Sequence, residues 1–372
     1  MSQELKLGFK FELAGETEDA ALRAVLRESH MPGNISLAFS REPSFFIAER
    51  AGSVRHQTLV YRKEDSGRIT GIGGRSVRKI YIDGEEKVVG YLSSLRILPE
   101  SRNRMTLVRG YKFLRSLHDD GEVPYYFTTI LDENRYAKLI LESGRAGMPS
   151  YVPMGMFVTY LIPIRKKVPR SLRHEVLSCS ENTLPQAHEC LSEWNGRHQF
   201  APVYTLDDLT GGTGLLPHFS SKDFYVCKER GEVVGTLGVW NQQSFKQTIV
   251  TNYSAKMKAV RASYNAIARL RGHPTLPSVG ESIRFVHASF VSAKNDNVEV
   301  FESLIHKACS DWSGRGHDYL LVGLAEENKL STVARKMASR QLESRIYLVH
   351  WPEEKMVLPK NGRVAHIEVA TL

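Results

Sequence analysis

The chain is poor in the patterns that mark several large classes of protein. Its four cysteines, Cys179, Cys190, Cys227 and Cys309, form no Cys-x-x-Cys pair and keep no metal-ligand spacing with histidine, so no metal is expected and buried free thiols are. The thirteen histidines are scattered, and His188-Glu189-Cys190 has no second cluster to complete a site. No apolar run reaches the roughly 18 residues that a membrane-spanning helix needs. Residues 1–6 carry no apolar signal core, which gives the expectation of a cytoplasmic location. Gly-x-Ser-x-Gly is missing, and Gly211-Gly212-Thr213-Gly214 lacks the Gly-Lys-Ser/Thr ending of a P-loop. Gly71, Gly73 and Gly74 precede no helix, so they read as a strand with bulges or close backbone approach rather than a dinucleotide fingerprint.

What is present is a globular composition on a long chain. At 372 residues two domains are expected, and 42% hydrophobic with 24% charged residues allows each a core. The formal charge of +9 permits an anionic partner, whether a cofactor phosphate, an acidic substrate or nucleic acid. Residues 88–143 are the most informative stretch. Branched and aromatic residues over 88–97 favour a strand that Pro99 ends. The basic loop 100–104 leads into a helix over 105–117, with Leu107, Tyr111, Leu114 and Leu117 on one face. Unpaired N–H groups and the positive end of the helix dipole meet Arg102 and Arg104 there, a seat for a phosphate. A second strand over 125–131 is followed by a helix capped at Asp132 or Asn134.

In these residues the sequence resembles the GNAT superfamily of acyl-CoA-dependent N-acyltransferases. Leu95-Arg96-Ile97-Leu98-Pro99 matches the family's strand end, Arg102 its basic position, and Asn134 with Ala137 its Asn-x-x-Ala motif. Met105 and Leu107 stand where the family's turn has glycine or alanine, and Leu141 where many members carry a tyrosine acid. The resemblance implies an α/β fold of two tandem mixed-sheet GNAT-like domains and an acyl-CoA, such as acetyl-CoA, as substrate. It implies that backbone at Leu95, Arg96 and Ile97 holds the pantetheine and polarises the thioester. Arg102, Asn103, Arg104, Met105, Thr106 and Leu107 would hold the pyrophosphate, and Asn134 belongs to the same site. No Asp or Glu lies on the strand 88–97 to serve as base; Tyr126 and Tyr136 are the candidate acids, each also readable as a buried structural tyrosine.

The second half repeats the first. Residues 231–235 echo 67–71, and Asn328 with its preceding strand echoes Asn134 with its own, which places an insertion between these landmarks. The expected organisation is a first domain at 1–165, a basic linker at 166–180 and a second domain at 181–372. The second domain's loop, Ser292 to Asn297, has no glycine and an acid, Asp296, at the helix cap, so acyl-CoA is expected in the first domain alone. The strand 156–164 reads as the last of the first domain, with 345–351 and 363–372 closing the second. The insertion, about 241–280, contains no Asp or Glu, and Met257, Val260, Tyr264 and Ile267 recur there at helical spacing among Lys256, Lys258, Arg261, Arg269 and Arg271. Such a helix can pack by its apolar stripe, bind an acidic substrate or RNA, or attach to a membrane surface.

Two function classes stay open. One is an enzyme, an N-acyltransferase moving an acyl group from acyl-CoA to an amine. The other is a non-catalytic binding or regulatory protein on the same fold. An aminoacyl-tRNA-dependent transferase is a third reading, carried by the basic insertion. The oligomeric state has no sequence signal.

Overall fold

A computed structural model describes residues 8–144, 147–164, 174–354, 359 and 362–372; the basic run 165–170 lies outside them. The first half contains β1 (Phe9–Leu13), α1 (Asp19–Glu28), β2 (Ile35–Ser40), α2 (Phe45–Arg50), β3 (Arg55–Lys63), β4 (Ile69–Ile82) and β5 (Glu85–Ile97). It continues with α3 (Arg104–His118), β6 (Tyr126–Leu131), α4 (Arg135–Leu141) and β7 (Ser150–Pro163). The second half contains β8 (Glu175–Ser178), α5 (Leu184–Gly196), α6 (Leu206–Thr210), β9 (Phe224–Glu229), β10 (Glu232–Trp240), β11 (Gln247–Tyr253) and α7 (Ala255–Leu270). It ends with β12 (Phe285–Ala293), α8 (Val298–Trp312), β13 (Tyr319–Ala325), α9 (Ser331–Met337) and β14 (Arg340–His350).

One 12-stranded sheet runs through both halves in the order β1-β3-β4-β5-β6-β14-β7-β13-β12-β10-β9-β8. Read inward from either edge, the pairing is the same. Three antiparallel contacts are followed by one parallel contact, β5 with β6 on one side and β12 with β13 on the other. At the centre the halves exchange strands, because β14 pairs with β6 while β7 pairs with β13. β14 and β7 also pair with each other over Arg340 to His350. The core is correspondingly continuous. Phe157 of β7 packs among Val89, Phe127 and Ile346, and the neighbouring Val158 and Tyr160 pack among Val286, Leu320 and Leu304.

Several local expectations hold for plain reasons. Asn134 caps α4 as expected, accepting from the Ala137 amide at 3.2 Å, and Asn103, read as part of the phosphate loop, caps α3 by accepting from the Thr106 amide at 2.8 Å. In α8 the stripe Phe301, Leu304, Ile305, Ala308, Cys309 and Trp312 is buried throughout.

Others are corrected. The strand over 156–164 does not close the first half alone, since β7 lies between β14 and β13. Residues 363–372 form no strand beyond an isolated bridge at Ala365; they run as a buried segment with a short turn at Val369–Thr371. The linker expected at 166–180 gives way at Glu175–Ser178, which pairs with β9 as the sheet's outer strand. Sequence reading also missed the two-stranded sheet in which β11, from the insertion, pairs with β2 of the first half.

The insertion's helix is turned the other way from simple packing. Val260, Tyr264 and Ile267 are 43%, 44% and 51% exposed, and only Ala268 of α7 is buried. Polar anchors select the packed side. Asn265 brackets the Leu276 backbone, donating to its carbonyl at 3.0 Å and accepting from its amide at 2.8 Å. Arg261 donates to Ser278 Oγ at 3.0 Å and lies over the Tyr253 ring.

Candidate functional site

The parallel pair β5 and β6 is joined only at Gly90 with Tyr126 and Tyr91 with Phe127, after which the strands diverge. The divergence begins just before a bulge. On β4, Ile72 faces Arg96 and Gly74 faces Ser93, so Ser94 and Leu95 together oppose one residue, and Ser94 takes a left-handed φ of 54°. The glycines fit that geometry, since a Cβ at Gly74 would stand 2.4 Å from Ser93 Oγ. The result is a V-shaped cleft with one strand's backbone edge open along 93–97. An apolar cavity of about 90 Å³ adjoins it, lined by Tyr61, Leu92, Leu95, Ile97, Leu107 and Tyr111 among others, with α3 as its lid.

The expected phosphate loop stands at the mouth. Arg102 is exposed and donates to the Ile97 carbonyl at 3.0 Å, which ties the loop to the strand end. Asn103 is the cap, and Thr106 is fixed by the Ser101 carbonyl at 3.0 Å and the Tyr61 hydroxyl at 3.1 Å. Arg104 opens α3, and its side chain lies outside the described residues. Met105 is 66% exposed, while Leu107 turns in to the cavity. Leu95 to Ile97 line the open edge. Asn134 sits beyond the far end of β6 as the α4 cap.

The two candidate acids are placed differently. Tyr126 is fully buried at the closed end of the cleft, and its hydroxyl accepts from Arg75 Nε at 3.0 Å and lies 3.1 Å from His118 Nδ1. Burial pushes it up to about 12. Tyr136 is 62% exposed on the first turn of α4. The structure does not bring the two hydroxyls together.

Sequence reading missed a charged cluster beside the bulge, because its members come from three distant segments. Ser94 Oγ donates to Glu49 Oε2 at 2.7 Å, and Arg41 Nε reaches Glu49 Oε1 at 3.3 Å. Burial alone would raise the Glu49 carboxyl, but the Arg41 charge, with His56 and the Ser94 bond, holds it below the usual range. Lys246 joins from the insertion, donating to the Ala370 carbonyl at 3.1 Å; burial, reinforced by Arg41, brings its ammonium down to about 7. Arg78, over the Tyr91 ring at 3.7 Å, donates to the Thr371 carbonyl at 2.6 Å. The one available signal was Lys246, which lies in the acid-free stretch.

The second half builds the same cleft and fills it. β12 and β13 pair only over Phe285 to Ala288, and Phe290 repeats the bulge with a φ of 54°. There the C-terminal segment enters. Glu368 Oε2 accepts from the Phe290 amide at 2.9 Å, and Val369 packs against Gly323 of β13. The cap of α8 is Asn297, not Asp296: left-handed turns at Asn295 and Asp296 carry the chain round, and Asp296 instead accepts from the Trp194 indole at 3.0 Å. An acid is still present at this loop, but it is spent on a tryptophan.

No protein-family model and no curated protein sequence matches the chain. Solved structures do. N-myristoyltransferase of Saccharomyces cerevisiae with bound myristoyl-CoA and inhibitors superposes with a TM-score of 0.61 at 11% identity, covering 98% of this chain and 87% of that one. The same enzyme with myristoyl-CoA alone gives 0.60 at 10%, over 93% and 83%. A GCN5-related N-acetyltransferase from Sphaerobacter thermophilus gives 0.56 at 10%, over 91% and 95%. The overall fold therefore agrees with the resemblance carried by residues 95–137: the chain has the fold of the GNAT superfamily.

Proposed function

We propose that the protein is an acyltransferase that moves an acyl group from acyl-CoA to an amine, using the cleft between β5 and β6. The observation that carries this reading is the bulge at Ser94, which opens a backbone edge onto an apolar cavity under α3. The pantetheine would add along the open edge at Leu95 to Ile97, and the α3 N-terminus with Arg102 would meet the phosphates. The acyl chain would lie in the cavity, which favours a chain longer than acetyl; the N-myristoyltransferase structures of similar fold were solved with myristoyl-CoA.

In the reaction the amine nitrogen attacks the thioester carbon, the C–N bond forms, and the C–S bond breaks to release the CoA thiolate. Backbone N–H groups at the bulge stabilise the oxyanion. The amine's proton passes by way of Ser94 to the ionised Glu49, and the thiolate is protonated from solvent. One acyl-CoA binds per chain, because the second cleft is occupied by residues 366–371.

The experiment is amine-dependent release of CoA thiol from acetyl-, octanoyl- and myristoyl-CoA against a panel of amines and peptides. Ser94→Ala should lower kcat roughly a hundredfold with little change in acyl-CoA affinity. Binding without thiol release from any donor would favour the non-catalytic reading instead. The departure that favours that second reading is Met105, whose side chain stands at a turn where glycine would let a phosphate approach.

A further inference from the structure

The outward face of α7 has a composition that water alone does not explain. At about 100° per residue, Val260, Tyr264, Ile267 and Leu270 fall on one side of the helix with Ala259 and Ala266. That side faces away from the protein, and Leu270 is 88% exposed. Lys256 and Arg271 close the same face at its two ends, while Lys258 and Arg269 lie on the far side of the helix from Val260. None of these four makes an ion pair among the described residues, and residues 241–280 contain no acid to neutralise them. The packed side is held by Met257, Arg261, Asn265 and Ala268, so the helix is anchored with its apolar stripe presented outward.

We propose that α7 docks the protein on an anionic membrane surface, lying in the plane of the headgroups. Four aliphatic and aromatic side chains bounded by a cation at each end of the face match a bilayer interface, where the apolar groups reach the acyl boundary and Lys256 and Arg271 meet lipid phosphates. Nucleic acid would use the cations but gains little from exposed Val, Ile and Leu, which carry no stacking face. A protein groove would take the apolar stripe but needs acids to match the cations. No helix among the described residues is long and apolar enough to cross a membrane, so attachment is superficial. This inference is independent of the acyltransferase reading, since α7 contributes no residue to the cleft.

The test is flotation of the full chain with vesicles of phosphatidylcholine alone and of phosphatidylcholine with about 30% phosphatidylserine. Binding to the anionic vesicles, absent on the neutral ones and weakening with salt, is expected. Ile267→Asp with Leu270→Asp should lower partitioning at least about tenfold, and Lys256→Ala or Arg271→Ala should each lower it roughly fivefold. Both positions are exposed, so thermal stability should not change. The proposal is overturned if the intact protein ignores anionic vesicles at low salt, or if binding survives the two aspartates. It is equally overturned if an RNA oligonucleotide binds as tightly with the aspartates in place, or if the protein is a dimer that those aspartates dissociate.

Discussion

Glu368 carries the second cleft in its protonation. Burial, against the Phe290 and Ala370 amides, raises its carboxyl from 4.5 to about 7, so between these values the folded chain keeps a proton that the unfolded chain has released. Its contribution to stability is complete below pH 4.5 and is lost as pH rises through about 7, roughly 3 kcal/mol in all. The buried imidazoles of His56, His287 and His366, which burial lowers to about 4, 3 and 3, work in the opposite direction and lose their contribution as pH falls below 6.5. A substitution isolates the carboxyl. Urea unfolding at pH 5 and pH 7.5 should show Glu368→Gln losing less stability on the way up than the parent chain; equal losses would place the proton elsewhere. At this scale the sequence was legible where a side chain acts on its near neighbours, as Asn134 does at the α4 cap, while at α8 it pointed to Asp296 one residue too early. It was silent on Arg41, Glu49 and Lys246, because a cluster drawn from distant segments leaves no local spacing to read.

Elements were legible where one face is buried by their own residues. The face of α3 carrying Leu107, Tyr111, Leu114 and Leu117 declares itself by period, and the echo of 67–71 at 231–235 places β9 and β10 correctly. The partner of a strand is a different matter. Nothing within β7 or β14 says that each will leave its own half, since alternation specifies a buried face and not a neighbour. Orientation of α7 was hidden for a related reason, as its packed side is chosen by Asn265 and Arg261 rather than by its apolar residues. The closed end of the first cleft depends on close approach of β5 to β6. A Cβ at Gly90 would stand 2.0 Å from the Tyr126 ring, which Arg75 and His118 hold in place. Gly90→Ala should therefore cost about 1–3 kcal/mol by chemical denaturation, and a change inside experimental error would mean that the ring moves freely.

Across the whole molecule, exchange of β7 and β14 makes the two halves one cooperative unit despite their repeated order. Calorimetry should give a single unfolding transition whose calorimetric and van't Hoff enthalpies agree; two separable transitions would show that the shared strands do not couple the halves. The same exchange lets the two clefts diverge. One stays open beside α3, while the C-terminal segment, which also meets Arg78 of the first half, occupies the other. The central claim is that acyl-CoA enters the open cleft alone. Hydrogen exchange of the intact protein, with and without a saturating long-chain acyl-CoA, tests it most directly. Protection confined to residues 92–107 and the second half of β6, Thr128 to Leu131, is the result predicted; protection at residues 289–298, or none in either cleft, would contradict it.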